Sequence, residues 1–91
     1  MSWKSKDQPA ANRTSITRAA LEQAIVEAVK SGSPECGALI GIVVERIVPT
    51  TPGGANWVVK GIRFGKADRD RCALAISKFV EERQLDFEVS D

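Results

Sequence analysis

Apolar positions fall with a period near two in two central blocks of the chain, and at helical spacing in the blocks on either side. The central blocks, Ala38–Val48 and Asn56–Ile62, flank Pro49-Thr50-Thr51-Pro52-Gly53-Gly54-Ala55, whose prolines and glycines suit a turn. Together they predict a β-hairpin. In the first strand, Ile40, Ile42, Val44 and Val48 share a side with Arg46, while Leu39, Gly41, Val43 and Ile47 share the other with Glu45. Apolar residues on both sides imply a strand covered twice, by helices on one face and by a neighbour or a dimer mate on the other. The second strand runs from Asn56 to about Phe64, with Trp57, Val59, Gly61 and Arg63 alternating against Val58, Lys60, Ile62 and Phe64. Glu45 is expected to meet Arg63 in a cross-strand ion pair.

The flanking blocks read as helices. Thr17 is the expected N-cap of the first, with Ile16 packing on Leu21 as a hydrophobic staple. Leu21, Ala24, Ile25, Ala28 and Val29 form its apolar stripe, and Ser31-Gly32-Ser33-Pro34 ends it, with Gly32 placed to adopt a left-handed terminus. Gly65 separates the hairpin from the second helix, which Asp68 caps and Asp70 complements against the helix dipole. Its stripe is Cys72, Ala75, Ile76, Phe79 and Val80. The alternation Leu85-Asp86-Phe87-Glu88-Val89 predicts a short third strand. The fold class that follows is α+β, in the order α-β-β-α-β, with an antiparallel hairpin sheet of two or three strands packed by two helices. Residues 1–15 read as a flexible leader with Trp3 as its one large aromatic, residues 16–89 as a single compact domain, and residues 90–91 as its end.

Composition changes this picture little. Ninety-one residues make one domain with a thin core, and 43% hydrophobic against 27% charged residues is globular. Thirteen basic and 12 acidic side chains leave a net charge of +1, so any electrostatic footprint is local. No stretch of about 18 apolar residues is present to span a bilayer, and the first residues lack the apolar core of a signal peptide; cytoplasmic placement is the expectation. Cys36 and Cys72 lack a close-spaced motif and are expected to be free, buried or half-buried thiols; a disulfide between them is geometrically possible but cannot be read from the spacing.

The chain has no histidine, which removes the usual base of a cysteine nucleophile and the commonest metal ligand. Asp68 and Asp70 point apart on a helix beside Arg69 and Arg71, which disfavours a cation. No catalytic residue, metal or cofactor is assigned. The Pro49–Ala55 loop lacks the lysine and helix junction of a phosphate cradle. Lys60, Arg63, Lys66, Arg69 and Arg71, close to Trp57, form the one basic cluster that suits a phosphate backbone. Asn56 and Trp57, beside the loop, are candidates for a ligand or contact surface.

The run from Gly54 through Trp57-Val58-Val59-Lys60-Gly61-Ile62-Arg63 to Cys72, preceded by Cys36 and the Ile42-Val43-Val44-Glu45-Arg46 strand, resembles small uncharacterised proteins of rhizobia-like alphaproteobacteria. The resemblance covers roughly residues 16–89. It implies a compact bacterial domain with a helix–hairpin–helix layout and carries no catalytic residue across. The leading expectation is a protein-interaction domain without catalytic activity, acting through a protein partner or as a homodimer. A nucleic-acid module is the alternative, and a small-molecule site near Trp57 the third reading.

Overall fold

A computed structural model describes residues 13–91; Trp3 and the rest of residues 1–12 lie outside the described part. The elements are β1 (Thr14–Ile16), α1 (Arg18–Gly32), a 3-10 turn (Pro34–Cys36), β2 (Gly41–Arg46), β3 (Trp57–Arg63), α2 (Arg69–Asp86) and β4 (Phe87–Val89). The α-β-β-α-β order of an α+β domain is present, preceded by the short strand β1 within what the sequence assigned largely to a leader.

Local chemistry accounts for the helix starts. Thr17 is extended and its hydroxyl accepts from the Ala20 amide at 3.2 Å, while the Asp68 carboxylate accepts from the Arg71 amide at 2.9 Å. The end of α1 differs from expectation. Gly32 stays helical, and the chain leaves through extended Ser33, whose amide donates to the Val29 carbonyl at 2.9 Å. Pro34 then opens the 3-10 turn, where its missing amide is no loss.

β2 and β3 form an antiparallel ribbon. Thr51, Pro52, Gly53 and Gly54 turn the chain, with Gly53 at φ 77° and the Gly54 amide bonded to the Thr51 carbonyl at 2.9 Å, which fits a type II turn with proline and glycine at its centre. Val43 pairs with Gly61 but Val44 with Val59, so Lys60 is the extra residue of a β-bulge. Glu45 opposes Val58 and Arg63 opposes Gly41, so the register separates the expected ion pair. Ile42 and Val44 enter a core with Leu21, Ile25 and Val29 of α1, Cys72 and Ile76 of α2, and the fully buried Trp57.

The third predicted strand is shorter than expected and pairs elsewhere. Leu85 and Asp86 belong to α2, and β4 pairs in parallel with β1, Thr14 with Phe87 and Ile16 with Val89, as a second two-stranded sheet. Strand partners so far apart in the sequence leave no local signature.

The cysteines correct a further expectation. Cys36 and Cys72 form a disulfide, with Cα atoms 5.1 Å apart and both residues fully buried. The bond follows from topology: the ribbon returns the chain so that α2 starts beside the 3-10 turn, where the Asp68 amide also reaches the Glu35 carbonyl at 3.3 Å. A separation of 36 residues in sequence could not reveal it.

Candidate functional site

Asn56 and Trp57 are committed to the fold. The Asn56 side-chain amide accepts from the Val89 amide at 2.9 Å and donates to the Val89 carbonyl at 3.0 Å, pairing with β4 as a peptide group would. The Trp57 indole donates to the Phe87 carbonyl at 3.1 Å. Thus β4 pairs with β1 on one edge and with two side chains on the other. Burial removes Trp57 from any contact surface, which corrects its assignment as one. Asn56 lines an open cleft of about 630 Å³ with Arg13, Arg46, Val48, Gly54 and Glu88, but its amide is already spent on Val89. Arg13 crosses there as a strut, donating to the carbonyls of Gln84 at 2.8 Å and Gly54 at 3.2 Å.

The basic residues Lys60, Arg63, Lys66, Arg69 and Arg71 are all exposed, and none has an ion-pair partner among the described residues. They run from the bulge of β3 through the turn at Gly65 to the first turn of α2. Arg69 is held over the Phe64 ring at 5.2 Å, a cation–π contact. Gly65 adopts φ 60°, and a Cβ there would approach Ile40 Cγ1 to 2.8 Å, so this turn needs glycine.

The ribbon is covered on one face only. Ile42 and Val44 are buried beneath it, whereas Val43 between them is 39% exposed on the other face. Ile40, just before β2, is exposed on the α1 side, where it lines a shallow cleft with Val26 and Ile42. Its two edges are treated differently. On the β2 edge the Val44 amide points away from β3 and donates to Glu22 Oε2 of α1 at 2.7 Å, so a side chain occupies that one edge group. Val59, paired with Val44, therefore has its own N–H and C=O directed away from β2, toward α2. Trp57 has the same phase, and its carbonyl accepts from Gln84 Nε2 at 2.7 Å.

Between this β3 edge and α2 lies a second groove, of about 340 Å³, floored by Val59, Ile62, Ile76 and Val80. Sequence reasoning missed it. The helical stripe in the sequence assigns Ile76 and Val80 to a core, and nothing in the periodicity says that β3 and α2 diverge enough to leave a channel.

Among the described residues, no group of three or more acidic or sulfur side chains is arranged to hold a metal ion, and no helix is long and apolar enough to cross a membrane. Comparison with known proteins found no matching family model, no matching curated protein and no matching solved structure.

Proposed function

We propose that this chain is a small non-catalytic protein-interaction domain that self-associates through the uncovered face of the β2–β3 ribbon. The observation that carries the reading is the exposure of Val43 on the face opposite the buried Ile42 and Val44. A two-stranded ribbon with one apolar face on a core and apolar residues on the other gains from a second layer. Charge does not oppose the contact, because Glu45 and Arg63 flank the face with opposite signs. Light scattering at tens of micromolar tests it. A mass twice that of the chain, reduced to that of a monomer by Val43→Asp, is the expected result; a monomeric wild-type chain overturns it.

A second reading has its own observation, the five exposed cations of β3 and the α2 start. They would bind phosphate backbones of DNA or RNA, with affinity falling steeply as salt rises. Asp68 and Asp70, interleaved among them, weaken the local field and make this the lesser proposal. Absence of salt-sensitive binding to mixed DNA and RNA would eliminate it.

The disulfide bears on placement. Thiols in a reducing cytosol stay reduced, so pairing of Cys36 with Cys72 supports an oxidising compartment over the cytoplasmic placement expected from the sequence. A resemblance to alphaproteobacterial proteins would fit either compartment.

A further inference from the structure

We infer that the groove between β3 and α2 is a peptide-binding site. It takes an extended segment of a partner protein that is apolar at alternating positions, with an acidic residue at the end reaching Arg69. The inference rests on the protein-interaction reading but not on self-association.

Three features carry it. Val59 presents an N–H and a C=O to the groove with no side-chain partner among the described residues, whereas the Val44 N–H on the β2 edge is taken by Glu22 and the Trp57 carbonyl by Gln84. An added strand would pair with these groups and place every second side chain over Ile62, Ile76 and Val80, the mode of recognition by strand addition. The volume lies at the lower end of the range for ligand pockets, which suits a few aliphatic side chains and not a folded surface.

The ends of the groove carry opposite charges. Arg69 stands one helical turn before the lining residue Ala73, fixed over Phe64, whereas Glu81 lines the other end next to Gln84. A segment with an acidic residue toward Arg69 and a basic or neutral one toward Glu81 is therefore favoured over the reverse.

A second copy of this chain does not fit. Outside the β2–β3 ribbon, the strand with a free edge among the described residues is β1, and its three residues Thr14–Ile16 carry a single large apolar side chain where the groove takes several in alternation. The bulge at Lys60 and the charge it bears further limit pairing to a short stretch around Val59, the way natural edges resist sheet-to-sheet stacking.

The test uses a phage-displayed library of random ten-residue peptides against the full chain, followed by hydrogen exchange with the strongest binder made synthetically. The inference expects binders with alternating apolar residues and an acidic residue at one end, and a Val59 amide whose exchange slows at least tenfold in the complex. Arg69→Glu and Ser77→Trp, the second filling the groove from the exposed side of α2, should each weaken binding at least tenfold while leaving the circular dichroism spectrum unchanged. Failure to select any binder overturns the inference. So does protection confined to the outer ribbon face, or affinity indifferent to both substitutions. A monomeric chain that binds such peptides would refute self-association alone, and a dimer that binds none would refute the groove alone.

Discussion

The two ends of α2 are attached to the body by different chemistry. At its N-terminal end, a buried disulfide ties Cys72 to the 3-10 turn, with a single backbone hydrogen bond from Asp68 beside it. At its C-terminal end and in the strand that follows, the ties are polar and reversible: Gln84 to Trp57, Asn56 and Trp57 to β4, Arg13 to Gln84. Only Cys72 and Ile76 of its 18 residues are fully buried, so neither end can rely on apolar burial alone. A thin core is supplemented covalently where the helix begins and by side-chain amides where it ends. Each device has its own vulnerability.

The largest expected effect comes from removing the covalent tie. A cross-link spanning 36 residues constrains the unfolded chain by about 4 kcal/mol, so Cys36→Ala with Cys72→Ala should lower stability by about that amount in urea denaturation. Hydrogen exchange should show the first half of α2 losing protection while β4 keeps it. An unchanged denaturation midpoint would mean that the disulfide contributes nothing beyond packing. Alkylation of free thiols in protein taken directly from its cells would show whether the bond is present at work; two reactive thiols would return the chain to a reducing compartment.

Asn56→Leu attacks the other end. It keeps the size of the side chain but strands the N–H and C=O of Val89, at a cost of about 2 kcal/mol. Here the pattern of exchange should invert, with β1 and β4 opening and the start of α2 still protected. If both variants open the same amides, the two ends are one cooperative unit and the contrast between them dissolves.

Smaller effects sharpen the picture. Gly65→Ala forces an L-residue into φ 60° beside Ile40, and should cost about 1–2 kcal/mol with its effect concentrated at the disulfide end. Thr17→Ala removes the cap of α1, which belongs to neither end, and should cost about 1 kcal/mol without altering the order in which the two ends open. Thermal denaturation of the two variants gives both numbers.

What the sequence disclosed follows the same division between local and distant. Thr17 and Asp68 act within three or four residues, and their roles were readable from residue type and position; Gly65 was readable as the break before α2, but its close approach to Ile40 was not. The hairpin was readable because alternation and turn residues adjoin one another. Pairing of Thr14–Ile16 with Phe87–Val89, the Cys36–Cys72 bond and the double use of the Asn56 amide each join residues brought together only by the finished topology. The candidate surface was half legible. Apolar residues on both sides of β2 were visible as a pattern, but the register that parts Glu45 from Arg63 and the bulge at Lys60 were not. Trp57 was misplaced because an aromatic next to a basic cluster is equally at home in a core, and here the core claimed it.

The disulfide also gives the chain an unusual connectivity. Residues 36–72 form a closed covalent ring whose far point is the exposed turn around Pro52, and the two tails leaving the ring meet again as the parallel strands β1 and β4. A protease that cuts the ring at that turn severs the chain without separating its pieces. The nicked molecule would remain one body under non-reducing conditions and fall into two only when reductant opens the second link.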